Sequence, residues 1–600
     1  MANENEKKFR VESDLLGELQ VPAEAYYGVQ TQRAINNYKI SGKHMCDYPE
    51  YVKAIAYVKL AAAEANHELG QLPDDVADAM CRACREIIDG KFHENFVTDM
   101  MQGGAGTSVN MNANEVIANR ALELMGYEKG DYQHCWPNDH CNCGQSTNDV
   151  YPTTIRLTFI EMNKQLVAAL ERLVASFRKK GEEFKNNIKM GRTQLQDAVP
   201  MTSGQEFTAF ANTLEEEIGN LNRNVELMLE INMGATAIGT GLNAVPGYAE
   251  LCTKKLAELT GENFTLGKDL VEATPDTGDY VSYSGALKRL AVKLSKICND
   301  LRLMASGPRC GLHEINLPPM APGSSIMPGK VNPVIPEVTN QTCFKVIGND
   351  TTVMIAAEAG QLQLNVMEPV ITQCIIESQT WLGRAMDTLR ERCVDGITVN
   401  AEHNAETVRN SIGIVTALNP YIGYKNSTKI AKEGAFERIY ASSFYFDENG
   451  MVKWPAQVVN YTNKTQYLFR ISKGVLDIND PAVNDYFAPE DIRIPFKNMV
   501  YIGDSDTDVP CMKLVNANGG YSIGVYNPVT GDKNKVYKMI HDKRIGYYAA
   551  ADYTDGSDMV KLLKSVIDVV AAQDKLDRLH AEDVKQALER SSQSDCVHEQ

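Results

Sequence analysis

Three long stripes of apolar residues limit what this chain can fold into. In the first stripe the apolar side chains recur every third or fourth residue between residues 155 and 177, the spacing of one face of an α-helix. Comparable stripes occupy residues 207–228 and 287–304, and residues 336–394 predict two further helices that are broken near Pro369. Helices of this length predict a mainly α fold with an extended bundle, and subunits that pack helix against helix. The first stripe consists of Ile155, Phe159, Met162, Leu166, Leu170, Leu173 and Phe177.

Short polar segments separate these helices. Residues 102–112 combine three glycines with Thr107 and Ser108 just before a helical pattern, and residues 145–149 place Ser, Thr, Asn and Asp before the first long helix. Glycine allows close approach of a ligand to the backbone, and a helix N-terminus attracts carboxylates. The simpler interpretation of residues 145–149 is an N-cap, which is compatible with ligand binding. A third polar segment covers residues 191–200.

The fourth polar segment, residues 323–333, reads Gly-Ser-Ser-Ile-Met-Pro-Gly-Lys-Val-Asn-Pro. Two glycines and two prolines surround hydroxyl, ammonium and amide groups, so the segment is predicted to be a loop. These polar groups suit an anionic ligand, although a short piece of this composition is also typical of a surface turn. Nearer the N-terminus, residues 12–28 contain Gly and Pro with few periodic apolar residues, and they predict an irregular leader over the first helices.

Length and charge narrow the class of protein. Six hundred residues predict two or more domains. The net charge of −18 argues against a general nucleic-acid partner and against attraction to an anionic membrane surface. No run of eighteen uncharged apolar residues and no signal peptide is evident, so we expect a cytoplasmic protein. The fourteen cysteines are scattered, several within helical patterns, and we interpret them as thiols.

A local cluster of histidine and cysteine invites a zinc interpretation. It contains His134, Cys135, His140, Cys141 and Cys143. The Cys-x-Cys spacing is tighter than the usual gap of two to four residues, and no second ligand pair follows at the distance typical of a zinc finger. The pattern therefore argues against a metal site.

The string at residues 323–333 resembles the signature of the fumarase/aspartase superfamily, and the resemblance extends over residues 12–429. It implies a three-domain helical fold, with an N-terminal domain at 1–145, a central bundle at 146–395 and a truncated C-terminal domain at 396–432. It also implies a homotetramer in which each active site takes loops from three subunits. The strings at 104–112, 191–200 and 234–243 are similar to those of its aspartase branch, and Gln194 stands where fumarases usually carry histidine.

This resemblance implies roles for individual residues. Ser324 would be the base and Lys330 would support it. Catalysis would be the reversible deamination of L-aspartate to fumarate and ammonia, by anti elimination through an enediolate, with no cofactor and no metal. The alternatives are a fumarase and a non-catalytic fusion scaffold. The implied substrate-binding residues are Thr107, Ser108, Ser146, Thr147, Asn148, Thr193, Gln194, Ser325 and Asn332.

After residue 432 the helical stripes give way to Tyr-, Phe-, Val- and Ile-rich strings that predict alternating strands and helices. Residues 433–572 predict an incomplete α/β, Rossmann-like segment that resembles the C-terminal half of a haloacid-dehalogenase-like hydrolase. The resemblance would make Asp504 and Asp508 magnesium ligands, and Lys464 or Lys473 the motif lysine. Because the strand with the nucleophilic aspartate is missing, we expect no functional Mg²⁺ site and no phosphatase activity. Residues 573–600 predict a charged tail that begins as a loose helix and ends in disorder.

Overall fold

The chain divides into two compact units, Met1–Gly423 and Tyr424–Gln600. The computed structural model describes residues 9–411, 413, 415–416, 424, 443–446, 452–457, 463–478 and 480–595. The sequence predicted this boundary after residue 432, which lies outside the described ranges. The observed boundary, between residues 423 and 424, comes earlier in the chain. No helix within these ranges is long and apolar enough to cross a membrane.

The first unit is built mainly from helices, as the apolar stripes predicted. Its helices are α1 (Val29–Asn37), α2 (Pro49–Glu68), α3 (Asp74–Ile88), α4 (Thr107–Met125), α5 (Thr147–Glu183), α6 (Ser203–Val225), α7 (Tyr248–Thr260), α8 (Leu270–Ala273), α9 (Gly278–Met304), α10 (Val334–Glu358), α11 (Glu368–Arg392) and α12 (Ala401–Asn410). Its strands are β1 (Phe9–Asp14), β2 (Gly17–Pro22), β3 (Ile188–Thr193), β4 (Gln196–Thr202), β5 (Glu230–Ile231), β6 (Thr265–Leu266), β7 (Ile315–Asn316) and β8 (Thr398–Val399). They form four two-stranded pairs, β1–β2, β3–β4, β5–β6 and β7–β8.

Helices α5, α6, α9, α10 and α11 form a bundle around one apolar core, and every residue of the first predicted stripe is buried in it. Contacts at named positions give the helix directions. Near its start α5 contacts α9 and α11, where Arg156 Nε donates to Asp279 Oδ2 (2.8 Å) and Tyr151 OH donates to Thr372 Oγ1 (3.3 Å). Near its end α5 contacts the last turns of α11, where Arg172 binds Asp387. Helices α5, α9 and α11 therefore run one way along the bundle.

Helices α6 and α10 run the other way. The start of α6 packs on the end of α5 through Gly204, and Asn163 of α5 donates to Asn222 near the end of α6 (3.1 Å). Asn340, early in α10, donates to Ser295 Oγ late in α9 (2.9 Å). The connections between consecutive bundle helices thus alternate between two ends of the bundle.

Two hairpins were not predicted as such. Strands β1 and β2 pair from Phe9–Pro22 to Asp14–Gly17, where the sequence suggested an irregular leader. Polar groups hold this hairpin, because Arg10 Nη1 donates to the carbonyls of Pro22, Ala23 and Ala25. Because polar contacts hold the hairpin, its strands do not need a strong alternation of apolar and polar residues, and the sequence did not indicate them.

The second hairpin is the polar segment at 191–200, which forms strands β3 and β4. Gln194 and Leu195 make its turn with φ values of 54° and 62°. This polar segment between two predicted helices therefore forms a hairpin after the end of α5.

The second unit is an α/β structure, as predicted. Its elements are β9 (Ser443–Phe446), β10 (Val452–Gln457), α13 (Lys464–Lys473), β11 (Val500–Gly503), α14 (Val509–Ala517), β12 (Tyr521–Tyr526), α15 (Asn534–His541), β13 (Tyr547–Ala550) and α16 (Asp558–Asp595). Strands β9 and β10 are antiparallel, and β11, β12 and β13 form a parallel sheet in that order. Helix α16 continues through residue 573, where the sequence predicted the charged tail to begin.

The crossing of α5 and α6 depends on a glycine, which gives a stability prediction. A Cβ at Gly204 would lie 2.5 Å from both Gly181 O and Lys185 Cα, so the backbone of one helix would have to move. We expect Gly204→Ala to lower the free energy of unfolding by about 1–3 kcal/mol. Gly219→Ala, in the same helix with no atom within 4 Å of its added Cβ, should raise it by about 0.5–1 kcal/mol. Denaturant unfolding of both variants is the measurement, and shifts of the same sign would contradict the assigned crossing.

Candidate active site

The first polar segment lies where α4 meets α5. Helix α4 begins at Thr107, preceded by Gly104 and Gly106, each with φ 88°. A Cβ at Gly106 would lie 2.1 Å from the ring of Tyr151, so only glycine allows this approach. The Thr107 hydroxyl donates to Gly104 O (2.7 Å) and is exposed, and Ser108 follows it in the first turn. The predicted hydroxyl groups therefore stand at a helix N-terminus.

The second polar segment caps α5, as predicted. Ser146 is the N-cap residue, and its hydroxyl accepts a hydrogen bond from Asn148 N (3.2 Å). Asp149 Oδ1 accepts from Ser146 N (3.0 Å) and completes a capping box. Thr147 and Asn148 therefore lie in the first turn of the longest helix of the first unit.

Asn110 joins these two segments. Its side-chain amide donates to Thr147 Oγ1 (3.1 Å) and to Asn142 Oδ1 (3.0 Å). Lys59 Nζ donates to the same Asn142 oxygen (3.2 Å) and to Gln145 Oε1 (2.8 Å). Lys59 is only 2% exposed, and burial lowers its pKa to about 7. We assigned neither Asn110 nor Lys59 from the sequence; a lysine inside the apolar pattern of α2 was the available signal.

Residues 232–241 form one more segment at this end of the bundle. Asn148 Nδ2 donates to Ala237 O (2.7 Å), and Asn232 Nδ2 donates to Asn148 O (3.0 Å). The carbonyl of Asn148 is free to accept because Pro152, four residues later inside α5, has no N–H to donate to it. Residues 234–243 served in the sequence only as a resemblance, so their position here is a finding of the structure.

The remaining two predicted segments lie at the other end of the bundle. Thr193 and Gln194 are exposed at the turn of the β3–β4 hairpin, which follows the last residue of α5. The 37 residues of α5 span about 55 Å at the usual rise. One chain therefore separates Thr193 from Thr147 by most of the length of the bundle.

The loop at 323–333 precedes α10 and shares the end with the hairpin. Ser324 Oγ accepts hydrogen bonds from the backbone of Ile326 (3.1 Å) and Met327 (2.9 Å). Asn332 Nδ2 donates to Gly323 O (2.8 Å) and closes the loop. The predicted loop conformation is confirmed, and Ser325 and Lys330 are exposed on it.

The structure thus brings Thr107, Ser108, Ser146, Thr147 and Asn148 together. The hairpin with Thr193 and Gln194 and the loop with Ser324, Ser325, Lys330 and Asn332 both lie at the opposite end. Between residues 9 and 411, no hydrogen bond or ion pair joins the two sets. A site that uses both sets needs more than one chain.

The histidine and cysteine cluster has other contacts. The ring of His134 stacks on Tyr127 at a centroid distance of 3.7 Å, and His140 Nδ1 accepts from Trp136 N (2.8 Å). Cys135 and Cys141 are buried. No group of three or more His, Cys, Asp or Glu in the described ranges is placed to hold a metal ion.

In the second unit, the predicted Mg²⁺ ligand Asp508 is already fully engaged. Its Oδ1 accepts from Lys464 Nζ (2.7 Å) and Tyr501 OH (2.9 Å), and its Oδ2 accepts from Ser505 Oγ (2.8 Å). Burial alone would raise the pKa of Asp508, but its hydrogen bonds and the charge of Lys464 together hold this pKa below the usual range. Asp504 is exposed. This arrangement does not fit a cation at the two carboxylates.

Comparison with known proteins agrees with the fold of the first unit. Residues 17–348, more than half of the chain, match a protein family described as lyase, and the chain belongs to that family. Over 424 residues it is 61% identical to the aspartate ammonia-lyase of Pseudomonas aeruginosa, covering 70% of this chain and 90% of that protein.

Two solved structures are also similar. A cobalt-bound fumarate lyase:delta crystallin from Brucella melitensis is 55% identical with a TM-score of 0.70, covering 71% of this chain and 93% of that one. A class II fumarase from Schistosoma mansoni is 35% identical with a TM-score of 0.68, over the same shares. The mainly helical fold predicted from the stripes is therefore confirmed.

Proposed function

We propose that this chain is an aspartate ammonia-lyase, which converts L-aspartate to fumarate and ammonia reversibly. The observation that carries the proposal is the 61% identity to the Pseudomonas aeruginosa enzyme over nine-tenths of its length. Gln194, which the resemblance places where fumarases usually carry histidine, favours this activity over hydration of fumarate.

The end of the bundle at Thr147 supplies groups that suit a dicarboxylate. Thr107 and Thr147 are the first residues of α4 and α5, where the positive end of the helix dipole attracts negative charge. Ser108, Ser146 and Asn148 add neutral donors beside them. We propose that these groups bind the carboxylates and the amino group of L-aspartate.

The opposite end supplies the base. Removal of a proton from Cβ leaves charge that spreads onto the neighbouring carboxylate as an enediolate. Preorganised donors aimed at such an oxyanion contribute about 3–4 kcal/mol each when water is excluded. The two backbone N–H groups at Ser324 Oγ also favour its alkoxide, and the Lys330 ammonium would add to this effect. Thr193, Gln194, Ser325 and Asn332 would complete the substrate contacts.

The chemistry itself asks for no cofactor. The C–N bond breaks as the amine leaves in its protonated form, and both electrons of the C–H bond go into the new double bond. No electron acceptor is needed in this elimination, and the proton passes to the base.

The proposal is tested by following absorbance in the fumarate band. We expect growth with L-aspartate and none with L-malate. Growth with malate alone would favour a fumarase, and a stable oligomer without turnover of either substrate would favour a scaffold.

A second test addresses the base. Ser324→Ala leaves Thr107, Thr147 and Lys330 in place, so KM for L-aspartate should change little while kcat falls by about a thousandfold. Ser306→Ala is the matched control, because Ser306 is also a loop serine whose hydroxyl accepts a backbone N–H, from Leu312 (3.0 Å). A kcat in Ser324→Ala equal to that of the control would exclude Ser324 as the base.

The separation of the two ends supports a shared active site. In a homotetramer with antiparallel bundles, the Ser324 end of one chain meets the Thr147 end of another. Helix α10 offers a surface for such packing, because Val338, Phe344, Met354 and Ile355 are 46%, 59%, 55% and 58% exposed in one chain. Apolar side chains on an exposed helix face indicate contact with another subunit.

Mixing of inactive subunits tests this arrangement. Ser324→Ala and Thr147→Ala chains should each be inactive alone. If one chain supplies Ser324 and another supplies Thr147, random mixed oligomers keep both residues at about one site in four. Co-expression of differently tagged chains should therefore restore up to about a quarter of wild-type kcat. Mixed oligomers with no more activity than either parent would contradict shared sites.

For the second unit we propose descent from the C-terminal half of a haloacid-dehalogenase-like hydrolase, without phosphatase activity. The ion pair of Lys464 with Asp508 supports this origin, since the resemblance makes Asp508 a motif carboxylate and Lys464 one of two candidates, with Lys473, for the motif lysine. Both carboxylate oxygens of Asp508 already accept hydrogen bonds from the protein, which supports the proposal that this unit has no phosphatase activity.

A further inference from the structure

Asp149 does more than cap α5. Its second carboxylate oxygen, Oδ2, accepts hydrogen bonds from the backbone of Gly234 (3.2 Å) and Thr236 (2.9 Å). Its first oxygen accepts from Ser146 (3.0 Å). One fully buried carboxylate thus joins the cap of α5 to the segment at 232–241.

The segment that Asp149 holds is strained. Thr236 has φ 59°, a conformation that residues other than glycine rarely adopt, and Gly234 has φ 83°. The Thr236 hydroxyl is buried and has no hydrogen-bond partner among the described residues, so it does not offset this strain. The N–H groups bound by Asp149 belong to these same residues. The conformation therefore relies on the carboxylate.

We propose that Asp149 is a positioning residue for the reaction, which in its charged form fixes segment 232–241 against the first turn of α5 and so orders Thr147 and Asn148 for substrate binding. Asn148 is held from the same segment by Ala237 O and Asn232. Release of the segment would free the Asn148 side chain. The kinetic part of this proposal rests on the proposed function, and the structural part does not.

Protonation of Asp149 works against this arrangement. A neutral carboxyl group carries an O–H that would meet backbone N–H donors on either oxygen, with no acceptor there. Burial raises the pKa of Asp149 to about 7, although the N–H groups of Thr236 and Ser146 favour the charged form. The other titratable groups facing it are Lys59 on α2, which favours its charged form, and Tyr248 and Cys252 on α7, which share its buried surroundings.

The test compares Asp149→Asn with Asp47→Asn. Asp47 occupies the same position in another capping box, where its Oδ2 accepts from His44 N (3.0 Å), but it is exposed and binds no distant segment in the described part of the chain. We expect Asp149→Asn to raise KM for L-aspartate about tenfold to a hundredfold with a smaller fall in kcat, because substrate groups are misplaced while the base is intact. Asp47→Asn should keep wild-type values.

The pH profile separates positioning from general stability. Wild-type kcat/KM should fall as pH drops through about 7, because protonation removes an acceptor from the backbone of segment 232–241. Asp149→Asn should be low throughout and lack this acidic limb. An unchanged KM, or an acidic limb that persists in Asp149→Asn, would overturn the proposal.

Hydrogen exchange gives a readout that needs no turnover. Amides of Gly234 and Thr236 should exchange at least about tenfold faster in Asp149→Asn than in Asp47→Asn. In the wild-type protein their protection, corrected for intrinsic rates, should decrease on acidification through about pH 7, which keeps the test valid if Asp149→Asn fails to fold. Equal protection at pH 6 and pH 8 would overturn the proposal even if L-aspartate is the substrate. Faster exchange without any L-aspartate turnover would instead reject the proposed function alone.

Discussion

The length of α5 determines how the first unit can work. An unbroken helix of 37 residues places its first turn and the hairpin after its last turn at opposite ends of the bundle. Its four bundle partners run parallel or antiparallel to it, so every connecting segment falls at one end or the other. Hydroxyl and amide groups that suit substrate binding collect at one end, and the serine and lysine loop collects at the other. Symmetric assembly of identical chains is one way to bring such ends together, and exposed apolar side chains of α10 are available for it.

Much of this arrangement could be predicted from the sequence because the periodic spacing of apolar residues indicates helices. The stripe from Ile155 to Phe177 is buried as expected, and the cap at Ser146 begins α5 where its Ser, Thr, Asn and Asp side chains indicated. The predicted break between two helices near Pro369 also lies close to the start of α11. These features follow from local spacing and local hydrogen bonding, which a single sequence records.

The parts that escaped prediction depend on contacts between distant residues. Strand β1 is held by one arginine that binds carbonyls twelve to fifteen positions away, so its short apolar pattern carries little information. Lys59 lies 83 positions from Asn142, and its place among buried amides has no signature beyond an unexpected charge in an apolar helix. In the second unit, the resemblance named Asp504 and Asp508 as the carboxylates of a non-functional Mg²⁺ site, and it did not predict that Lys464, Tyr501 and Ser505 would bind both oxygens of Asp508. The residue types were read correctly, and the structure supplied their partners.

Pro152 shows how a local defect in a helix can serve binding elsewhere. Any other residue at position 152 would bring an N–H that competes with Asn232 for the carbonyl of Asn148. Alanine at this position would make α5 more regular and, by the ordinary scale of helix propensities, more favourable by about 3 kcal/mol. It would also remove the reason for Asn232 to lie there, and the segment at 232–241 would lose an anchor. Replacement of Pro152 would therefore act in opposite directions on the stability of the bundle and on the order of the proposed substrate site.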